Sequence, residues 1–344
     1  MEKKVAVVIL NWNGEALLRK YLPSVIEYSN NNLANVYVID NDSKDDSVEI
    51  MKNNYSEVKI IQLDKNYGFA GGYNKGLKEI KEKYIVLLNS DVRVSSKWLE
   101  PMIDLLDKDS KLVAVQPKIL SDRNSEYFEH AGACGGYIDY LGYPFCRGRI
   151  VADVEKDESQ YDESKEIFWA SGAALFIRNS IYKQVGGLDE RFFAHMEEID
   201  LCWRLHSLGY KIKCEPKSTV YHFGGASLGY DNPRKLYLNF RNSLFMLYKN
   251  LNNDIFYKTM FFRLLLDGVA AFMFLLKFQF KNFLSVWNAH IDFYSSLKKF
   301  KKDRIEIQSK SKIKNISTIY NRSIIMKYYL FSLKKFSQIK NFIS

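Results

Sequence analysis

Two carboxylates stand out by where the sequence puts them. Asp91 follows the apolar run Tyr84-Ile85-Val86-Leu87-Leu88 and the polar pair Asn89-Ser90. A single carboxylate at the tip of a buried strand suits a hard divalent cation that bridges two phosphates, because Mg²⁺ is commonly held by one or two carboxylates plus phosphate oxygens and water. The plainer alternative is a cap on a helix starting near Ser95. Glu198 lies in Phe192-Phe193-Ala194-His195-Met196-Glu197-Glu198-Ile199-Asp200-Leu201-Cys202-Trp203-Arg204. If a helix opens here, Glu198, Leu201, Cys202, Leu205 and Leu208 share one stripe. A carboxylate on such a stripe is costly without a partner or a task. Burial raises its pKa and the helix dipole opposes that rise. Either Glu197 or Glu198 can thus serve as a general base, whereas Asp200 and Arg204, four residues apart, read as an ion pair.

Other polar residues also follow apolar runs. Asn11-Trp12-Asn13-Gly14 comes after the first, and Asp40-Asn41-Asp42-Ser43-Lys44-Asp45-Asp46-Ser47 after the second. Asp40, ending its strand, is placed to accept hydrogen bonds from a base N–H or a ribose hydroxyl, while Asp42, Asp45 and Asp46 read as turn and capping residues. Asn66-Tyr67-Gly68-Phe69-Ala70-Gly71-Gly72-Tyr73-Asn74 follows the third. Its glycines would let backbone N–H groups approach a diphosphate, but it is neither a G-x-G-x-x-G nor a Walker sequence. His222 ends a strand just before Phe223-Gly224-Gly225-Ala226-Ser227, where it is either a metal or phosphate contact or an ordinary packed histidine.

The elements that must position these residues alternate. Val5–Leu10, Val36–Ile39, Val58–Leu63 and Tyr84–Leu88 read as buried strands, with helices at Glu15–Tyr28, Ser47–Asn54 and Ala70–Glu82 between them. That alternation predicts an α/β fold on a mostly parallel, Rossmann-like sheet flanked by helices, and such sheets bind ligands beyond the carboxyl ends of their strands. Val113–Leu120 and Ala173–Arg178 read as further strands, Glu197–Leu208 as a helix, and Tyr210–Cys214 and Thr219–His222 as two short strands. Residues 121–166 read as loops with short strands. From Pro233 the pattern is helical. The expected division is a catalytic domain over 1–232 and a basic, aromatic-rich helical extension over 233–344.

The 344 residues carry a net charge of +10, unevenly. Residues 233–344 hold 21 Lys and Arg against 5 Asp and Glu, a net of +16, which leaves −6 for residues 1–232. No basic recognition helix or zinc-finger spacing accompanies this charge, so nucleic acid is not an expected partner. The basic residues are interleaved with large apolar ones, which suits an anionic membrane surface. Arg263, Asp267, Lys277 and Lys281 fall within about 80° of one another at ~100° per residue, a polar sector on an otherwise apolar helix that could lie in the membrane interface or form a dimer or core contact. Within the apolar region Ile255–Trp287 the longest uncharged stretch, Gly268–Leu276, is nine residues, against ~20 for a spanning helix. The four cysteines lack metal-ligand or disulfide spacing, which points to a reducing compartment. The apolar run near the N-terminus reads as a buried strand rather than a signal peptide.

As an ordered set, VVILNWNG, VIDNDSKDDS, NYGFAGGYN, LLNSDV, WASGAALFIR, FFAHMEEIDLCWR, YHFGGAS and then Tyr237 with Arg241-Asn242 resemble the family 2 glycosyltransferases, in particular their bacterial rhamnosyltransferase-like branch. The resemblance spans Val5 to about Asn250. It implies the glycosyltransferase A fold, a nucleotide-diphosphate-sugar donor, a divalent metal (Mg²⁺ or Mn²⁺) and an inverting mechanism. By position it implies donor contacts at Asn11, Trp12, Asn13, Asp40, Asn66, Gly71, Asn89 and Ser90. It implies Asp91 and His222 as metal ligands, Glu198 as base with Glu197 beside it, and an acceptor side at Trp169, Gly172 and Asp200. Asn89 stands where the family has a first Asp, and Glu198 where it usually has an Asp. The acceptor implied is a glycan or lipid-linked saccharide of cell-surface polysaccharide synthesis, reached from the cytoplasmic face of the membrane. A sugar-phosphate nucleotidyltransferase, or a non-catalytic sugar-nucleotide-binding module, would keep the same sheet. The first normally needs a Gly-rich loop with Arg and Lys where this chain has Asn-Trp-Asn-Gly-Glu.

Overall fold

The computed structural model describes residues 3–29, 33–224, 232–339 and 342. Gly225, Ala226 and Ser227 of the glycine run after His222, and residue 231 beside the expected domain boundary, lie outside the described residues.

Strands β1 (Val5–Asn11), β2 (Ala34–Asp40), β3 (Lys59–Gln62) and β4 (Tyr84–Asn89) form a parallel block in the order β3-β2-β1-β4. They are joined by helices α1 (Glu15–Ser29), α2 (Ser47–Asn54) and α3 (Gly68–Gly76). β1 is buried on both faces. Val5, Val7 and Ile9 pack with Leu18, Leu22 and Val25 of α1, while Ala6 and Val8 face Ala70 and Tyr73 of α3. Register pairs Asn11 with Asp40 and Leu10 with Asn89, so the polar strand ends line up along one edge.

Beyond β4 the sheet is mixed rather than mostly parallel. β5 (Val92–Val94) follows directly, then α4 (Glu100–Lys108) and β6 (Leu112–Ser121). Asp91 therefore sits in a tight turn between two strands and caps no helix, since the helix expected near Ser95 starts at Glu100. Next come β7 (Gly136–Asp139), β8 (Pro144–Cys146), β9 (Arg149–Ile150), β10 (Asp153–Val154), β11 (Lys165–Glu166) and β12 (Ala174–Arg178). β12 enters antiparallel between β4 and β6, because the chain returns to it through a small second sheet instead of a crossover helix. After α5 (Asn179–Gln184) and α6 (Glu197–Ser207), the two strands expected near Cys214 and His222 are one bulged strand, β13 (Lys211–His222), whose register breaks around Pro216. β13 pairs His222 with Val92, which sets the imidazole beside Asp91.

The C-terminal part is α7 (Pro233–Asn250), α8 (Asn253–Leu276), α9 (Phe280–Lys310), β14 (Ile319–Tyr320) and α10 (Ile324–Phe331). β14 adds a strand parallel to β7, and Phe336 and Phe342 pack on Tyr137 and Phe145. The α8–α9 region departs from expectation in two ways. The helix breaks at Phe278, which has φ of 57°, so Lys277 and Lys281 leave the sector they were expected to share with Arg263 and Asp267. Arg263 and Asp267 then point inward. Arg263 donates to Asp267 (2.8 Å), Ser243 and the Leu141 carbonyl, and both side chains are buried. What faces outward is Phe261, Leu265, Phe272, Leu276, Phe280 and Leu284. The charged pair of α8 thus faces in, while Lys277 and Lys281 stay exposed beside these apolar residues at the bend.

Candidate active site

At the β1/β2 edge, the Asp40 carboxylate accepts from the Ser43 N–H (3.1 Å) and from Asn11 Nδ2 (3.3 Å), and Asn11 also donates to Ser43 Oγ. Asn13, with φ of 49°, accepts the Lys44 N–H at 2.7 Å. Asn66 accepts from Asn41 and from the Gly68 N–H. These three asparagines are thus engaged in shaping the loops. Trp12 is exposed and Asn11 Oδ1 is buried without a partner. Asp45 accepts the Ser47 N–H at the start of α2, the helix it was expected to cap, and also takes the Glu15 N–H at the start of α1, which was not expected. The glycines run into α3 instead of forming a loop. A Cβ on Gly72 would meet Leu10, one on Gly76 would meet Ile39, and one on Gly71 would lie 3.0 Å from Tyr67 Cβ. Their smallness lets the helix approach the sheet.

At the β4 tip, Asp91 Oδ1 lies 3.0 Å from His222 Nε2, Asn89 Nδ2 lies 3.4 Å from the same nitrogen, and Ser90 is half-buried in the turn. On the far side of the ring, Glu129 Oε2 stands 3.4 Å from His222 Nδ1, too poorly aligned for a hydrogen bond. Burial would lower the imidazole pKa, but the two carboxylates outweigh it and lift it to about 10. Burial would raise both carboxyls, yet the His222 charge holds Asp91 and Glu129 below the ordinary range. Glu129, in a stretch read as loop, was not anticipated. Its only signal was a Glu-His pair between weakly periodic segments. Among the described residues no group of three or more His, Cys, Asp or Glu side chains is arranged to hold a metal ion. Asp91 with His222 is a two-donor set of carboxylate and imidazole. It suits a divalent cation that completes its shell with water and phosphate oxygens.

Glu197 and Glu198 open α6 after a contorted turn in which Phe193, His195 and Met196 all have positive φ (66°, 70° and 72°). Such backbone persists only when the surroundings enforce it. Asn242 of α7 does so by donating to the carbonyls of Phe192, Ala194 and His195, and Arg241 donates to those of Arg191 and Phe192. Both were legible as a motif, but their bracing role was not. Oε2 of each glutamate is buried without a hydrogen-bond partner. Burial pushes the Glu198 carboxyl up to about 7 against the pull of the helix-start N–H groups of Glu198 and Ile199. Burial and the charge of Glu198 push Glu197 well above its ordinary value. Glu197 is enclosed and Glu198 half-buried. Burial, with help from Lys235, lowers His195 to about 4 and keeps it neutral.

Two connections tie Asp91 to Glu198. The segment after β11 is bonded to the β4 tip through the Asn89 N–H and the Ala173 carbonyl (3.1 Å), and its Ala170 backbone meets Cys202, one turn from Glu198. Gly172 lies between them, against the Phe69 ring. From the other side, Lys235 of α7 sits close enough to Glu129 and to His195 to feel the one and repel charge on the other.

Two residues expected on the acceptor side are elsewhere. Trp169 is 3% exposed, its ring pressed on Gly136 and its Nε1 donating to the Tyr137 carbonyl, because the small sheet needs a large side chain there. Asp200 is fully buried and saturated by Arg204, Lys249 and Asn250.

Residues 6–184 match the family described as Glycosyl transferase family 2. An N-acetylglucosaminyl-diphospho-decaprenol L-rhamnosyltransferase of Mycobacterium tuberculosis (strain ATCC 25618 / H37Rv) is 24% identical over 247 residues, 67% of this chain and 80% of the relative. Among solved structures, GalNAc-T7 with UDP, GalNAc and Mn²⁺ superposes with a TM-score of 0.57 at 17% identity, covering 74% of this chain and 50% of that one. S. aureus TarS 1-349 in complex with UDP-GlcNAc gives 0.55 at 15%, covering 89% of each. These likenesses identify the architecture as the glycosyltransferase A fold with a C-terminal helical region.

Proposed function

The chain belongs to glycosyl transferase family 2, and from that premise we propose that it moves a sugar from a nucleotide-diphosphate donor to a glycan or lipid-linked acceptor with inversion at the anomeric carbon. Rhamnose is the leading sugar, by likeness to the mycobacterial relative. The observation that carries this reading is Glu198 at the start of α6, with one carboxylate oxygen buried and unpartnered. It is tied through the 170–173 segment to the edge that holds Asp91.

In the proposed reaction an acceptor hydroxyl attacks the anomeric carbon as the bond to the donor's phosphate oxygen breaks. Glu198 takes the hydroxyl proton, and the nucleoside diphosphate leaves with the bonding pair. A base whose pKa lies near the working pH is effective in this role, contributing ~10²–10⁴ in rate. Burial and the neighbouring Glu198 charge favour the protonated form of Glu197 beside it. Asp91 and His222 would hold a divalent cation, which when bound supplies Lewis-acid neutralisation of the departing diphosphate. Glu129 would orient the imidazole, and Asp40 and Trp12 would meet the nucleotide.

The α8–α9 hairpin, together with the +16 charge of residues 233–344, supports docking on an anionic membrane at its cytoplasmic face, where lipid-linked acceptors of polysaccharide synthesis are presented. Asn253–Leu276 is long and apolar enough to cross a membrane by length and composition, but its buried Arg263–Asp267 pair favours an interfacial seat.

A donor screen by mass spectrometry, with and without Mg²⁺ or Mn²⁺, tests the reading. A glycosylated acceptor with free nucleoside diphosphate is expected. Diphosphate release from a nucleoside triphosphate would make the protein a nucleotidyltransferase. Binding of nucleotide sugars without turnover would make it a binding module.

A further inference from the structure

Between α7 and α9 runs an open cleft of about 450 Å³, whose walls include Arg234, Tyr237, Asn288, Ile291 and Asp292. We propose that it seats the anionic linkage of a lipid-diphosphate acceptor, with the lipid lying along Leu284, Trp287 and Ile291. This rests on the sugar-transfer reading and names its acceptor class.

Three observations carry it. First, the cleft adjoins the turn that leads to Glu198. Arg234, Tyr237 and Arg241 recur at helical spacing on one stripe of α7. The Arg234 guanidinium lies 5.6 Å from the Phe193 ring centre, and Arg241 bonds both the Tyr237 hydroxyl (3.2 Å) and the carbonyls of Arg191 and Phe192. A sugar held near the turn would therefore have its linkage at this wall. Second, the charge suits an anion. Arg234 is exposed at the cleft, Arg241 donates to the hydroxyl of Tyr237 in its wall, and the one carboxylate among the described residues of the wall, Asp292, accepts from that Tyr237 hydroxyl. Third, the opposite wall grades into apolar surface. Ile291 lines the cleft and is 50% exposed. With Trp287 (58%) and Leu284 (51%) it forms an i, i+3, i+7 stripe that continues onto the outward face of the hairpin.

A soluble sugar phosphate would leave that stripe in water, and an ordinary membrane lipid would have no reason to approach the turn. A molecule with an anionic linkage and an apolar tail fits both walls.

Farnesyl diphosphate is a defined probe. Its binding to the full chain can be followed by calorimetry, and by the emission of Trp287 with Trp287→Phe as the control. It should bind at least tenfold more tightly than inorganic diphosphate or farnesol. Arg234→Glu and Ile291→Asp should each weaken it at least tenfold, and Arg234→Lys much less, with unchanged melting temperatures and unchanged UDP or dTDP binding. Equal affinity for farnesol, insensitivity to both substitutions, or the same loss on phosphatidylglycerol vesicles lacking the probe would overturn the proposal, the last by making the stripe a plain membrane contact. The assay needs no donor sugar. Failure of transfer with every nucleotide sugar would thus sink the reading above while leaving this measurement standing.

Discussion

The side-chain amide of Asn242 lies 2.8 Å from the carbonyl oxygen of His195, and the same nitrogen reaches the carbonyls of Phe192 and Ala194. One buried side chain of α7 thereby holds the turn that presents Glu197 and Glu198. Asn242→Ala should cost about 1–3 kcal/mol of stability through the abandoned carbonyls. It should also lower kcat at least tenfold with little change in donor KM, read by denaturant titration and steady-state kinetics. Unchanged kcat would reduce the contact to packing.

Because burial holds the Glu198 carboxyl near 7, turnover should climb with pH below that value and level off above it. Glu198→Gln should remove the limb and ~10²–10⁴ of rate while donor still binds. Glu197→Gln, which replaces a protonated acid with a neutral isostere, should stay within tenfold of the parent. Stability carries the opposite sign. The folded state keeps its proton through a window, from the ordinary 4.5 upward, where the unfolded chain has released it, so stability falls as pH rises through that window. Glu198→Gln should therefore raise the melting temperature more at pH 8 than at pH 5.

Asp200 should prove structural. Its removal leaves Lys249 and Arg204 buried beside a lost partner, and breaking a buried pair this way typically costs about 3–5 kcal/mol. Asp200→Ala should show that loss in chemical denaturation, while the fraction that remains folded keeps its acceptor KM. A raised acceptor KM with unaltered stability would return the residue to the substrate site.

Chelation of divalent cations should stop transfer, with recovery on adding Mn²⁺ or Mg²⁺. Asp91→Asn and His222→Gln should each raise the Mn²⁺ concentration needed to support UDP binding by roughly tenfold, which is one lost ligand at about 1.4 kcal/mol. Full UDP binding in the presence of chelator would argue against the cation.

Phe272→Asp and Phe280→Asp, both on the outward face of the hairpin, should leave the melting temperature unchanged. Each should reduce co-sedimentation with phosphatidylglycerol vesicles at least tenfold, since burying a Phe side chain is worth about 1.5–3 kcal/mol. Equal partition of parent and variants would remove the membrane role.

The parts of the site written as strand ends were legible before any coordinates. Short Val- and Ile-rich runs with polar tips leave little freedom, so Asp40, Asn89 and Asp91 fall on one edge. Glu198 was legible because a carboxylate on an apolar stripe is anomalous. Glu129 was not, since a loop residue acquires its neighbours from tertiary register alone. Periodicity placed Arg263 and Asp267 together correctly, but it could not tell which side of the helix would meet protein. Trp169 reads the same in a sequence whether it lines a cleft or, as here, fills the gap over Gly136.

The rings of Tyr137 and Phe342 meet 5.3 Å apart across some two hundred residues of chain, and β14 adds its strand to β7 over nearly the same interval. Contacts so distant in sequence are the last that a growing chain can make. During synthesis on a ribosome the small sheet must wait with an open edge and an uncovered aromatic floor until residues 319–342 emerge. Through that interval Tyr137 and Phe145 lack the rings of Phe336 and Phe342 that cover them in the folded protein.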